Sequence, residues 1–430
     1  MTLAPTQPPL TLTLEKPVYG GDCLARLDGK TVFVPLTLPG ETVSAHITEQ
    51  KRNFARAEAD SILTPSPHRT APPCPHFGTC GGCHLQHADY PTQLALKRQV
   101  LAETLTRAGV TLPDPITILS AEPWAYRNRI RLAVTPSGNL GYRSRRSHDI
   151  TPISQCPIAA PILWETAQLL APHLPSAPVP IAEVELFTNG TQVLVTLFTS
   201  AEAADTQPWL HHLLPTLPAV TSLRLQQDDA HLHPRILAHS GDPAFLYTAA
   251  GFPYRVEHGS FFQVNRFLLD TFVAHVLNSI PAASPTNLAW DLYAGVGLFA
   301  RPLTQRFARV LAVEPAPTSF AALRENLANT TGTAIGSTTL DFLRRNRQER
   351  EPRPDFLVLD PPRAGLGDEV CTLLAAIHTP VMAYVSCDPA TLARDLALLA
   401  RERFQLASIT LADLFPNTYH LETIAILARR

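Results

Sequence analysis

The amino-acid sequence predicts an α/β chain: a parallel, doubly wound sheet in the C-terminal part, preceded by a small β-barrel and a central α+β region. Three observations lead there. From about residue 260, strand-like and helix-like runs alternate regularly, the pattern of a parallel sheet with crossover helices. Residues 11–63 are short β-like runs punctuated by Gly20-Gly21, Asp28-Gly29 and Pro39-Gly40, dipeptides that mark turns. Between these regions, strand-like runs mix with helical and Pro-rich pieces. The 430 residues are 45% hydrophobic and 17% charged, which suits two or three domains with sizeable cores and excludes global disorder.

The elements follow in order. Five runs (LTLEKPV, CLARLDG, KTVFVPL, ETVSAHITEQ and FARAEADSIL) make the barrel, and residues 1–64 form the first expected domain. TPSPHRTAPP is a Pro-rich linker into a second domain, 65–255. That domain opens with a cysteine cluster and a helix over PTQLALKRQVLAETLTRAG, which Gly109 ends. RIRLAV, EVELFT and QVLVTLF are its strands. The third domain, 256–430, holds helices at 264–280, 297–306, 317–329, 367–377 and 389–401. Its strands fall at 288–293, 309–314, 355–360 and 381–386, and YHLETIAILAR forms a last one. No run of about 18 apolar residues occurs, and the N-terminus has no basic leader before an apolar stretch. A cytosolic protein without a membrane span is expected.

The net charge of −2 hides a local bias. Residues 65–146 carry ten Lys or Arg against four acids. Arg127, Arg129, Arg131, Arg143, Arg145 and Arg146 fall in one acid-free window. Guanidinium forks suit phosphate oxygens, so phosphate contact by some of these six, Arg127, Arg129 and Arg131 among them, is one reading and an ordinary solvated surface the other. Seven cysteines in such a chain suit metal binding and catalysis better than a disulfide framework. Cys23, in the barrel, and Cys371, within a helix, read as core.

Four polar residues stand at the C-terminal ends of successive predicted strands: Asp291, Glu314, Asp360 and Cys387. Ligands of open α/β sheets bind at those ends. The loop in WDLYAGVGLFA follows Asp291, and Glu314 lies 23 residues beyond it, where an acid can accept from both hydroxyls of a ribose. Capping of the following helices explains one or two such acids but not the set. Cys387, in VSCDPATLARD, sits at a strand-to-helix turn where a helix dipole favours thiolate. Glu422, in HLETIAIL, is a carboxylate at the head of an apolar strand, poised to act as a base.

In this arrangement the chain resembles the RNA 5-methyluridine methyltransferases over nearly its whole length. The signatures occur in order: a TRAM-like (OB-like) β domain at about 8–64, Cys74-x5-Cys80-Gly-Gly-Cys83, a distant Cys156, FFQVN at 261–265, DLYAGVGLF, Val313-Glu314, DPPR at 360–363, SCDPATLARD and HLET at 420–423. The resemblance implies a Rossmann-like methyltransferase domain using S-adenosylmethionine. It implies Cys387 as nucleophile on carbon 6 of a uracil and Glu422 as the base that removes the carbon-5 proton. It implies Gln263, Tyr293, Glu314 and Asp360, with Asp291, around the methyl donor and the flipped base, and it places the helix near 91–109 against the catalytic domain. Phe261 and Phe262 are candidates for an aromatic lining, or for core. Relatives often carry Cys where Ala294 stands and Asn where Leu298 stands, so loop 294–298 is expected to bind through its backbone. Val-Glu-Pro also replaces the commoner Val-Glu-Gly after the acid.

Cys74, Cys80, Cys83 and Cys156 offer four thiolates for zinc or an iron–sulfur cluster. By the resemblance a [4Fe-4S] cluster is favoured, with zinc as the alternative and His76, His84 and His87 as substitute ligands. The expected partner is RNA, ribosomal RNA before transfer RNA, and the expected state is a monomer. Other readings are a transfer-RNA uridine methyltransferase, an inactive RNA-binding relative, and a methylase of amino groups, which needs no cysteine.

Overall fold

The structure, a computed structural model, describes residues 9–202, 205–227, 235–282, 286–349 and 352–430. Most of the N-terminus read above for a leader, residues 1–8, lies outside the described residues. Contacts divide the chain into two compact units: Met1–Glu103 with Arg143–His148 and Phe415–His420, and Thr104–Tyr142 with Asp149–Leu414 and Leu421–Arg430.

In the first unit, strands β1 (Leu10–Pro17), β2 (Asp22–Leu27), β3 (Lys30–Pro35), β4 (Thr42–Gln50) and β5 (Phe54–Thr64) close a barrel in the order β1-β2-β3-β5-β4. Alternation sends Leu12, Leu14, Cys23, Ala25, Val32, Val34, Val43, Ala45, Ala55 and Ala57 inward, small residues that fit a narrow five-stranded barrel. Cys23 is core as expected, its thiol donating to the Thr37 carbonyl at 3.1 Å. The helix expected near 91–109 is α1 (Tyr90–Arg107). Within this unit it holds the excursion 415–420: Gln93 exchanges hydrogen bonds with Asn417 at 2.9 and 3.1 Å, and Lys97 donates to the Phe415 carbonyl.

The second unit opens with β6 (Thr117–Leu119), β7 (Arg129–Val134), β8 (Leu140–Arg143), β9 (Ile150–Pro152) and α2 (Pro161–Leu170). It continues through β10 (Glu183–Thr188), β11 (Val193–Thr199), α3 (Gln207–Leu213), β12 (Val220–Gln227) and β13 (Arg235–Gly241). These give a seven-stranded sheet in the order β13-β12-β11-β10-β7-β8-β9, on which α2 and α3 bury Leu163, Ala167, Leu170, Leu210 and Leu213. A two-stranded ribbon, β14 (Ala244–Ala249) and β15 (Phe252–Glu257), leads into α4 (Leu269–Asn278).

The eight-stranded sheet then runs through β16 (Leu288–Leu292), α5 (Ala300–Leu303), β17 (Arg309–Val313), α6 (Pro317–Asn326), β18 (Gly332–Ile335), α7 (Thr339–Glu349), β19 (Phe356–Leu359), α8 (Gly367–Ile377), β20 (Val381–Ser386), α9 (Pro389–Arg401), β21 (Phe404–Ala412) and β22 (Glu422–Arg429). Its order is β18-β17-β16-β19-β20-β22-β21-β6. Strands β16 to β20 are parallel, as expected. The direction of winding reverses between β16 and β19, so the carboxyl ends of those strands flank the crevice where ligands of such sheets bind.

Several expectations need correcting. The sheet is not parallel throughout: β22 inserts antiparallel between β20 and β21. The expected helix 264–280 starts only at Leu269, because Asn265 turns the chain by accepting from the Phe267 and Leu268 amides. The helix expected over 297–306 shrinks to Ala300–Leu303. Strands β6, β18 and β21 and helix α7 were not anticipated. Among the described residues no helix is long and apolar enough to cross a membrane.

Candidate active site

The site is built on strand ends. Asp291 is the penultimate residue of β16, Glu314 follows β17, Asp360 follows β19 and Cys387 follows β20. Strand β22 runs antiparallel to β20 with Ser386 opposite Thr423. Cys387 lies one residue after Ser386 and Glu422 one residue before Thr423, and the Glu422 charge acts on the Cys387 thiol. The two residues come from segments 35 positions apart, and only the antiparallel insertion brings them together.

The electrostatics of this face are unusual for carboxylates. Glu422 is buried and its Oε1 lacks a hydrogen-bond partner among the described residues. Burial, reinforced by the charge of Asp360, pushes its carboxyl well above the usual range, and Arg363 offsets this in part. Burial raises the Asp360 carboxyl too, against a hydrogen bond from Gln263 Nε2 at 3.3 Å. The pair therefore retains protons where isolated acids would be ionised. Asp291 is more extreme. Neither of its oxygens is hydrogen-bonded among the described residues. Burial lifts its carboxyl well above the usual range, offset only in part by the nearby Ala300 amide, which falls short of a hydrogen bond to it. Orphaned buried acceptors of this kind call for a donor or a cation from a ligand.

The expectation of an easily ionised Cys387 needs correction. The side chain is half-buried, and burial first, then the Glu422 and Asp360 charges, push the thiol up to about 11, with Arg363 pulling the other way. The dipole of α9 is instead taken up by Asp388, whose side chain caps the helix by accepting from the Ala390 and Thr391 amides at 3.0 and 2.9 Å.

The glycine-bearing loop is positioned by Glu314. Its two oxygens accept from the Gly295 and Ala316 amides at 2.9 and 2.7 Å. Tyr293 takes a left-handed conformation (φ 64°) to turn the chain out of β16. At Gly297 (φ 94°) a Cβ would meet Leu323 at 2.8 Å, so glycine lets α6 approach. The Ala294 and Leu298 side chains are buried.

The FFQVN segment splits its aromatics. Phe262 is core (2% exposed), packed on Tyr247 and Tyr254, whereas Phe261 is 62% exposed. Asn128 fixes the Gln263 carbonyl (2.9 Å), and Asn265 donates to the Asp413 and Leu414 carbonyls. Arg363, Asn128 and Asn265 act around the site yet received no role from the sequence. For Arg363 the signal was present, a cation closing the DPPR signature beside an acid. Asn128 lay hidden among arginines.

The arginine window is not a bare cationic patch. Arg129 pairs with Glu185 and lies over the Phe187 ring at 4.0 Å; Arg131 pairs with Glu183 and lies over Phe198 at 3.9 Å. Arg145 and Arg146 pair with Glu58 and Asp22 of the barrel. Acids absent from the window arrive from other segments. Arg127 is part-buried, its Nε without a partner among the described residues. Of the four cluster cysteines, Cys74, Cys80 and Cys83 belong to the first unit and Cys156 to the second. Among the described residues no three His, Cys, Asp or Glu gather as a metal site.

A doubly wound sheet with an acid-lined switch point, a cysteine at a strand end and an N-terminal small barrel defines a Rossmann-like methyltransferase carrying a nucleic-acid-type barrel. Residues 352–430 match the tRNA (uracil-5-)-methyltransferase family and residues 10–59 the TRAM domain. The chain is 33% identical to the 23S rRNA (uracil(1939)-C(5))-methyltransferase RlmD of Halomonas elongata, over 97% of this chain and 89% of that one. It is also 33% identical to that of Shewanella amazonensis, over 97% and 95%. The Pyrococcus abyssi tRNA (uracil-54, C5)-methyltransferase, solved with S-adenosyl-L-homocysteine, shares the fold at a TM-score of 0.77 and 23% identity, covering 97% of this chain and 99% of that one. The chain belongs to the RNA uracil-C5-methyltransferase family and is an enzyme of that class.

Proposed function

We propose that this protein transfers a methyl group from S-adenosylmethionine to carbon 5 of a uridine in 23S ribosomal RNA, through a covalent bond between Cys387 and carbon 6. The observation that carries the reading is that the antiparallel pairing of β20 and β22 ends at Ser386 and Thr423, next to Cys387 and Glu422, with the Glu422 charge acting on the Cys387 thiol. The donor supplies an electrophilic methyl on a sulfonium that departs as a neutral thioether. Cys387 thiolate adds to carbon 6, and the ring electrons move to carbon 5 and the 4-oxygen. Carbon 5 then forms its bond to the methyl as the sulfonium carbon–sulfur bond breaks. Glu422 takes the carbon-5 proton, the 5,6 double bond re-forms and the thiolate leaves.

The carboxyls fit this scheme. Asp291, with two unpartnered oxygens, and Glu314, beside the glycine loop, suit the polar groups of the donor; Tyr293 and Gln263 flank the same strand ends. The residues 1–64, 65–255 and 256–430 are taken as RNA-binding, central and catalytic parts, and the enzyme as a cytoplasmic monomer. Arg127, Arg129 and Arg131 are the residues taken to contact RNA phosphate, Arg127 foremost because Arg129 and Arg131 already pair with Glu185 and Glu183. The relatives' names favour ribosomal over transfer RNA.

Cys74, Cys80, Cys83 and Cys156 are proposed to hold a [4Fe-4S] cluster. The donor set supports it: four thiols, with the Gly82 amide donating to Cys80 Sγ at 3.4 Å and Tyr142 Oη 3.8 Å from Cys156 Sγ. Iron and acid-labile sulfide in protein purified without oxygen would support it; stoichiometric zinc would replace it with the zinc site.

The central test is trapping. RNA bearing 5-fluorouridine has no removable carbon-5 proton, so it should remain covalently bound to Cys387. An adduct on another residue, or methyl transfer retained by Cys387→Ala, would reject the mechanism. Mapping 5-methyluridine in ribosomal and transfer RNA from cells lacking the gene decides the substrate.

A further inference from the structure

We infer that Asp395 is a positioning residue which, with Arg394 and Thr391, locks the Arg363–Gly367 loop onto α9 and so holds Arg363 beside Cys387. The SCDPATLARD and DPPR signatures thus form two halves of one device. Asp395 is fully buried on α9. Its Oδ2 accepts from the Tyr384 hydroxyl and the Leu366 amide, both at 2.7 Å. Its Oδ1 accepts from the Arg394 guanidinium at 2.8–2.9 Å and, more weakly, from the Gly367 amide at 3.4 Å. Arg394 in turn donates to the Ala364 carbonyl at 2.9 Å, and Thr391 Oγ1 to the Arg363 carbonyl at 3.1 Å. Four of the five loop residues are therefore held through their main chain by one face of one helix.

The fifth, Gly365, shows how close the fit is. Its φ is +73°, and a Cβ there would stand 2.5 Å from Asp395 Oδ2, 2.8 Å from Arg394 Nη2 and 3.0 Å from Thr391 Cβ. Both conformation and space demand glycine. Helix α9 does not need this polar face to pack, since Leu392, Leu396 and Leu399 are buried on it. A buried carboxylate is costly unless donors surround it, so its presence is explained by what it holds. The loop begins at Arg363, whose positive charge acts on both Cys387 and Glu422. Helix α9 begins two residues after Cys387. The lock makes the loop cation and the nucleophile one rigid body.

The inference rests on the uracil-methylation reading only for its effect on turnover. The test uses the full chain and variants Gly365→Ala, Asp395→Asn and Arg363→Ala. The first readout, alkylation of Cys387 by iodoacetamide between pH 7.5 and 9, followed on its own peptide by mass spectrometry, needs neither RNA nor donor. The charged groups facing this thiol are Glu422 from β22 and Asp360 and Arg363 from the segment after β19. Loss of the Arg363 contribution should lower the thiolate fraction, slowing alkylation about threefold or more in each variant. Gly365→Ala should add nothing in an Arg363→Ala background. Single-turnover methylation should fall about tenfold or more, with donor affinity kept within about twofold. Equal or faster alkylation in folded Gly365→Ala protein overturns the lock. Should Asp395→Asn not fold, Gly365→Ala and Tyr384→Phe decide alone. If the unaltered protein never methylates uridine, the functional reading fails while the alkylation comparison still judges the lock.

Discussion

Glu422 and Asp291 are both buried acids without full hydrogen bonding, yet they face different demands. Glu422 must give up a proton to become a base and then collect one from carbon 5. Burial and the Asp360 charge hold it protonated, so Arg363 and an incoming sulfonium are the forces that release it. Glu422→Gln keeps the shape but removes the base. It should accumulate a covalent protein–RNA species on ordinary transcripts, visible on a denaturing gel; slowed chemistry with no such species would assign the proton to another group. Asp291 predicts a pH effect. Its folded carboxyl is raised above the ordinary 3.8, so the folded protein binds that proton more tightly than the unfolded chain. The stability it confers is whole below 3.8 and is lost as pH rises toward the folded value. Ligand-free protein should therefore melt lower at pH 8 than at pH 5.5. Asp291→Asn should flatten that decline and raise melting at pH 8 while weakening donor binding about tenfold, as site residues trade stability for function. A steeper decline in the variant would contradict this account.

At the scale of elements, two small devices set where side chains point. Helix α9 is started by Asp388, directly after the nucleophile, and Asp388→Ala should cost about 1 kcal/mol in chemical denaturation. In the barrel unit, Glu41 is buried and accepts from Arg69 at 2.6 and 2.7 Å and from the Leu38 and Ser66 amides. It ties the β3–β4 turn to the linker. Burial works to raise the Glu41 carboxyl, but the Arg69 and amide hydrogen bonds outweigh it and hold the group below its ordinary 4.5. This contribution is present above 4.5 and fades as pH falls through the folded value. Arg69→Leu would strand a buried carboxylate, so a loss of about 3 kcal/mol or more is expected in urea unfolding at pH 7. An unchanged midpoint would mean that the barrel closes without this pair.

Across the whole molecule, electrostatic binding is less simple than the sequence suggests. Four of the six window arginines already pair with acids from other segments. Arg127→Ala should reduce the slope of log affinity against log salt by about one for an RNA ligand. Arg145→Ala should leave that slope unchanged, because its charge is spent on Glu58. The chain path is also more interleaved than three consecutive domains imply. Residues 415–420 belong to the first unit, where Asn417 accepts from the His84 and Leu85 amides and Tyr419 meets His84 and Tyr19 edge-on. The chain leaves β21, makes these contacts, and returns as β22 with Glu422 at its head.

Local pattern determined much of this protein. Period-two runs and turn dipeptides specified the barrel, and apolar strands alternating with helices specified β16, β17, β19 and β20, because side-chain periodicity follows directly from backbone geometry. Acids and a cysteine at strand ends marked the site, since polar residues there are costly unless a ligand uses them. Tertiary structure decided the rest. Cys387 and Glu422 come to the same end of the sheet only because β22 inserts antiparallel beside β20, a pairing between distant segments that no local window contains. The same holds for the protons kept by Asp291, Asp360 and Glu422, which depend on water excluded by residues far along the chain, and for the arginines neutralised by remote acids. Propensity is a property of neighbours in sequence, whereas charge, burial and opposition belong to neighbours in space.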